Sequence, residues 1–256
     1  MKKIKIYSAL LIIVSILAGC QKGDMLTNPD QITNQDMLMG KVAPEDFISP
    51  DHFVDGITNP YFPINPGDTL YYELSAIEDG IPVFQNTTIS ITNDIMVISG
   101  INCMVVHDVV IEDGELAEDT YDWYAQDKFG NVWYFGEDTK KYNPDGTFST
   151  EGSFKNGVDG AVAGIIMLAN PEAHIGHHYK QEDYPGHAQD NARVISVDET
   201  VTVVYGTFTG CLKTEERSPL EPGLIEFKYY APGIGQILAT VDVGGTEHEE
   251  LVDTNF

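Results

Sequence analysis

What constrains this chain most is a succession of short runs rich in Val, Ile, Thr, Tyr and Phe, each cut off by turn residues. TLYYELSAI (69–77) stops at Glu78-Asp79-Gly80, PVFQNTTISIT (82–92) at Asn93-Asp94, and CMVVHDVVI (103–111) at Glu112-Asp113-Gly114. Asp-Gly between two such runs signals a hairpin, because both central positions of the tight turn take positive φ. ELAEDTYDWYAQ (115–126) and NVWYFGED (131–138) flank a further turn at 127–130, and Asn143-Pro144-Asp145-Gly146 marks another. ARVISVDE, TVTVVYGTFTGCLKTEE, LIEFKYYA, GQILATVDV and HEELVD follow. About a dozen strands at this spacing predict an all-β domain, a barrel or sandwich, and short links make neighbours antiparallel. No long segment keeps a helical period. Val162 to Ala169 (VAGIIMLA), between Gly160 and Pro171, is expected as an apolar loop or a short helix.

The first 50 residues are of another kind. MKKIKIYSALLIIVSILAGC has the positive n-region (Lys2, Lys3, Lys5) and the apolar core (Ala9 to Ala18) of a secretory signal. The core is shorter than the ~20 apolar residues that a spanning helix needs. It ends in Leu17-Ala18-Gly19-Cys20, which looks like the bacterial lipobox, where a lipid joins the Cys thiol and the peptide is cut before it. Residues 1–20 are thus expected to be a lipoprotein signal peptide, with Cys20 as the lipid-attachment residue. Several acyl chains on one cysteine, palmitate among them, make a stable anchor where a single chain would not. The lipid bilayer is therefore met at residue 20. Gln21 rather than Asp follows, which favours the outer membrane, and Gln21-Lys22-Gly23-Asp24 loosely resembles the short export tags of surface lipoproteins. Residues 21–50 are polar and aperiodic, with Pro29, Gly40, Pro44 and Pro50, and read as a flexible tether. Residues 51–256 remain as a single β domain.

Charge narrows the partners. The chain has 14 Lys and Arg against 40 Asp and Glu. The signal takes three of those lysines and no acid, leaving 11 against 40. Such a field repels nucleic acid and anionic surfaces and suits cations. No protein partner is indicated.

Chemistry is harder to find. DWYAQDKFGNVWYFGEDT (122–139) holds both tryptophans and carries apolar bulk on both faces of its strands. A sheet apolar on both sides must be covered on both, by a second layer, a helix or a ligand. Trp123, Trp133 and Phe135, with Tyr229 and Tyr230 of LIEFKYYA, are the ligand-binding candidates, and ordinary β core is the alternative for each. His174, His177, His178 and His187 lie in PEAHIGHHYKQEDYPGH (171–187) and are the candidate metal ligands, although their spacing fits no closed tetrahedral site. Cys103 and Cys211 are either a disulfide, which an exported protein permits, or two buried thiols. There is no G-x-S-x-G elbow, no H-E-x-x-H and no EF-hand ladder, so no catalytic residue is named and no cofactor is expected.

NPYFPINPGDTLYY (59–72), DWYAQDKFGNVWYFGEDT (122–139), GSFKNGVDGAVAGIIM (152–167), YKQEDYPGHAQDNARV (179–194) and PLEPGLIEFKYYAPGIGQI (219–237) resemble a family of uncharacterised bacterial envelope lipoproteins. Tyr229-Tyr230-Ala231-Pro232-Gly233-Ile234-Gly235 is similar to the closing hairpin of domains related to the lipoprotein carriers LolA and LolB. The resemblance implies an antiparallel half-open barrel, or strongly curved sheet, around an apolar cavity. The carriers' lipid-handling residues are not matched. The reading that follows is a membrane-anchored envelope lipoprotein, non-enzymatic, binding an apolar or lipid-like ligand in a barrel cavity. Its alternatives are a surface hydrolase or carbohydrate-active enzyme, and a structural or assembly protein that binds an envelope partner.

Overall fold

The computed structural model describes residues 32–38, 42–78 and 80–256. The expected signal peptide, Cys20 and residues 21–31 of the tether lie outside the described residues. Two short helices, α1 (Asn34–Leu38) and α2 (Pro44–Phe47), precede the strands. β1 (Phe53–Val54) is a stub on a meander of five long strands: β2 (Thr69–Glu78), β3 (Ile81–Ile98), β4 (Ile101–Glu112), β5 (Glu115–Asp127) and β6 (Val132–Tyr142). β7 (Phe148–Ser149) and β8 (Phe154–Lys155) add short pairings to β6, and β9 (Val162–Met167) continues the sheet beyond it. After β10 (His178–Lys180) and β11 (Glu182–Asp183), a second meander runs through β12 (Asn191–Val203), β13 (Gly206–Arg217), β14 (Ile225–Ala231), β15 (Gly235–Val243) and β16 (His248–Thr254).

All named strand pairs are antiparallel. The two meanders join where β16 lies beside β2, with Leu251 opposite Tyr72. The sheet order then runs from β10 through β12–β16 and β2–β6 to β9 and β11. Its two ends are one stretch of chain: β10 pairs with β12, β11 pairs with β9, and only Gln181 separates them. The sheet therefore curls into a nearly closed barrel, the expected all-β architecture. Gly164 permits this seam, since a Cβ there would stand 2.5 Å from the Gln181 carbonyl carbon.

Local chemistry explains most turns. Asp113 (φ 51°) and Gly114 (φ 85°) make the two-residue turn between β4 and β5. Asn93-Asp94, by contrast, does not end a strand. β3 continues to Ile98, and the register slips between Ile91 and Ile95. Thr92 Oγ1 donates to the Val105 carbonyl (2.8 Å) and accepts from the Asp94 N–H (3.1 Å), so the turn residues are absorbed as a bulge. TVTVVYGTFTGCLKTEE likewise is not one run, since it folds back at Val204-Tyr205.

The stretch expected as an apolar loop or short helix, VAGIIMLA, is a correction: Val162–Met167 is β9, paired to β6 on one side and β11 on the other. A short apolar run cannot be told from a helix by periodicity, and here two strand partners decide it. Cys103 and Cys211 are free, buried thiols, which corrects the disulfide alternative. β4 neighbours β3 and β5, whereas β13 neighbours β12 and β14, so the pair is never adjacent. Burial pushes the Cys103 thiol up to about 12.

The N-terminal segment is packed where it can be described. Ile32, Val42 and Phe47 are buried in the main core. Phe47 stacks on Trp133 (ring centroids 5.6 Å, 16°) and on His52 (4.5 Å), whose Nδ1 lies 2.6 Å from the Phe47 carbonyl oxygen. Phe53 then meets Trp133 and Phe135 edge-on at 5.9 and 5.3 Å. This aromatic layer covers one face of the hairpin; the other face lines the inside of the barrel.

Candidate functional site

Alternation places every second side chain of a barrel strand inside. A cavity of about 350 Å³ occupies that interior. Leu70 and Tyr72 of β2, Thr87, Ile89 and Ile91 of β3, Val106 and Asp108 of β4, and Asp122 and Tyr124 of β5 line it. Glu226, Lys228 and Tyr230 of β14 and Glu249 of β16 complete the wall. Each set advances by two residues, as one face of a strand must.

The pattern sorts the lining into two tiers. Phe62, Ile64, Leu70, Ile91, Val106 and Ile234 form an apolar tier beneath the 59–68 loop, where Phe62 meets the Tyr124 ring at 5.1 Å. One step further along the strands stand Asp108, Asp122, Lys228 and Glu249. A second chamber of about 650 Å³ adjoins, sharing Tyr124, Ile166 and Lys228 as its wall. Glu137, Glu182, Asp190 and Glu216 line it, with Gln181 of the seam.

These acids are held in ways that keep them out of water. Tyr134 Oη lies 2.5 Å from Asp122 Oδ1 and 2.9 Å from Glu137 Oε2. A phenol has one proton to give, so it can donate fully to only one of the two carboxyls. Burial raises Asp122 well above the usual carboxylate range; the Tyr134 hydrogen bond opposes this and the Glu137 charge adds to it. Burial, then Glu249, pushes Asp108 up to about 7. Burial, then Asp190, pushes Glu182 up to about 8. Glu249 is raised by burial, although Thr87 Oγ1 donates to it at 3.1 Å. Lys228 is the cation on the wall that the two chambers share. Burial lowers its pKa, but Glu216 (2.9 Å) and Glu226 (3.4 Å) more than offset that, so it stays charged.

Tyr230 alone of the five aromatic candidates lines the interior cavity. Trp133 belongs to a groove of about 260 Å³ between the N-terminal segment and β9–β10, with Met37, Val42 and Pro44. Its indole Nε1 donates to Asp127 Oδ2 at 2.9 Å. Asp127 also accepts from the Phe129 and Asn131 N–H groups and from Asn131 Nδ2, so this buried carboxylate organises the hairpin turn. Phe135 is fully buried in the aromatic layer. Trp123 is buried with Lys155 Nζ over its ring at 5.2 Å, and Tyr229 is half-buried beneath Lys213 Nζ at 5.0 Å. Sequence reasoning missed Tyr124 and Tyr134, the inward neighbours of the tryptophans, whose rings stack at 4.9 Å. The signal was available: Asp122, Tyr124 and, across the turn, Tyr134 share the face opposite Trp123, Trp133 and Phe135.

The histidines do not converge. His174 and His177 meet edge-on at 5.7 Å, His187 stacks on Tyr184 at 4.3 Å, and His178 stands opposite Arg193 in β10. Among the described residues no three His, Cys, Asp or Glu side chains are placed to hold one metal ion.

No protein-family model matches this sequence, and no curated protein matches it. Two solved structures are similar to the chain. One, from Bacteroides fragilis NCTC 9343, is described as exported with a YmcC-like fold; it is 12% identical, with a TM-score of 0.46 over 78% of this chain and 100% of that one. The other, from Parabacteroides distasonis ATCC 8503, is described as a lipoprotein; it is 12% identical, with a TM-score of 0.43 over 77% of this chain and 99% of that one.

Proposed function

We propose that the protein is a non-enzymatic envelope lipoprotein, anchored through acylated Cys20 most naturally in the outer membrane, whose barrel interior holds an amphipathic ligand. One observation carries the binding half of this reading: a cavity of about 350 Å³ whose lining divides into an apolar tier and a tier of buried ionisable groups. Its size falls in the range of small-molecule sites, which are mostly apolar with a few convergent polar groups. A packed core would have no use for the second tier, because burying a charge without a partner is costly. The address rests on the signal-like N-terminus ending in Leu17-Ala18-Gly19-Cys20.

The test is native mass spectrometry of the full chain taken from its own host without refolding, followed by extraction. A stoichiometric adduct with an apolar portion, lost in Ile89→Trp, is the expected result. A clean ligand-free mass would refute the cavity reading. Cys20→Ala should release the protein from the membrane fraction, and retention there would refute the anchor. A second reading, a carbohydrate-active hydrolase, is favoured by Asp122 and Glu137 meeting at one Tyr134 hydroxyl. Polysaccharide turnover that Glu137→Gln abolishes would support it.

A further inference from the structure

The barrel interior is not a neutral apolar pocket, and its imbalance points to a class of ligand. We infer that the polar end of the bound molecule is a cation, an organic ammonium group seated among Asp108, Asp122 and Glu249 with its apolar portion against the tier of Leu70, Ile91 and Val106. This rests on the cavity reading above and names the chemistry of its occupant.

Three observations support it. The first is charge bookkeeping. Lys228 is the cation facing the cavity, and it is engaged by Glu216 and Glu226. Among the described residues Asp108, Asp122, Glu182 and Glu249 have no Lys or Arg in ion-pair contact. The second is an orphaned acceptor on the cavity wall. Asp108 Oδ1 is buried and bonds nothing. A buried acceptor left without a donor is costly, and an N–H group of the ligand relieves it. The third is the geometry of the acids. They line the cavity from β4, β5 and β16, so a cation inside it meets carboxyls from more than one strand, while among the described residues no three of them are placed to hold a metal ion. A carboxylate- or phosphate-headed lipid would bring a further acid group into a low-dielectric space whose cation, Lys228, is already engaged by Glu216 and Glu226.

Binding such a cation has a linked consequence. Asp108 faces Glu249 from β16, Asp122 and Glu118 from β5, and Glu137 from β6, with Lys228 and Glu226 on the β14 wall. A positive charge placed among these carboxyls favours their ionised forms, so protons leave as the ligand enters.

Isothermal titration of the full chain in zwitterionic nanodiscs, with empty nanodiscs subtracted, distinguishes the cases. The probes are octylammonium, octanol and octanoate at pH 7. Octylammonium is expected to bind at least tenfold more tightly than octanol. Its heat should depend on the buffer's ionisation enthalpy, reporting proton release by the unmodified protein. Asp108→Asn should reduce both the preference and the release. Equal affinity for octylammonium and octanol, or a preference for octanoate, would overturn the inference and leave the cavity reading standing. Absence of binding by all three would overturn the cavity reading itself.

Discussion

Replacing Asp108 by Asn should stabilise the ligand-free protein at alkaline pH and leave it nearly unchanged at acid pH. The Asp108 carboxyl is pushed from its ordinary 3.8 to about 7, chiefly by burial and then by Glu249. A carboxyl raised in the folded state favours folding through its protonated form. Its stability contribution is thus fully present below ~4 and is lost as pH climbs through about 7. The rise spans about three pH units, and at ~1.4 kcal/mol per unit the ceiling is ~4 kcal/mol at pH 8. Relaxation and screening around a group near a cavity cut this to ~2 kcal/mol. Asn has nearly the same shape, carries no charge at any pH, and breaks no bond to Asp108 Oδ1, which has none. At pH 4 the two proteins should agree to within ~0.5 kcal/mol, because the side chain is protonated in the folded state and still nearly half protonated in the unfolded one, so little of the difference has developed. Urea denaturation followed by far-UV circular dichroism at pH 4 and pH 8 measures both differences. An equal difference at the two pH values, or destabilisation at pH 8, would refute the argument from buried charge.

Three further expectations concern the scaffold. Phe47→Ala should cost ~3–5 kcal/mol in the packing of the N-terminal segment, and should red-shift Trp133 emission by uncovering it; an unchanged spectrum counts against that packing. Asp127→Asn turns one of its accepting oxygens into a donor facing donors, so a loss of ~1–3 kcal/mol by chemical denaturation is expected, and wild-type stability would contradict the hairpin network. Gly164→Ala brings a Cβ against the Gln181 backbone, at a cost of ~1–3 kcal/mol or more. Hydrogen exchange should speed up over 178–183 first, and undiminished protection there would show that the seam accommodates the methyl group.

The strands were legible because their signal is local. Val, Ile, Thr and Tyr in runs ended by Asp113-Gly114 or Gly233 state both the element and its turn. β9 was not, because six residues of VAGIIM satisfy a helix or a strand equally until β6 and β11 flank them. Phe47 was not, because one aromatic residue in a polar stretch has no periodic neighbours to betray its burial. At the site, the difficulty was facing. Trp123, Trp133 and Phe135 drew notice by size, but size does not say which side of a barrel wall a residue occupies; Tyr230 happened to point inward. The acids that define the cavity were hidden by number, since with 40 Asp and Glu in the chain no pattern sets Asp108 or Glu249 apart.

The wall of the barrel is not equally strong all round. β2 and β3 are held by ten residue pairs, whereas the stretch on either side of Gln181 is held by three pairs to β12 and two to β9. That thin join borders the second chamber, where Gln181, Glu182 and Asp190 stand. Opening the wall there sacrifices few ladder hydrogen bonds and leaves both meanders intact, as does parting β9 from β6, which are joined by three pairs, whereas parting β15 from β16 would break the second meander. Passage of a solute through the wall between chamber and solvent is therefore cheapest along this side of the barrel, between β12 and β6, and the width of the gap that opens there would set how large a molecule can enter.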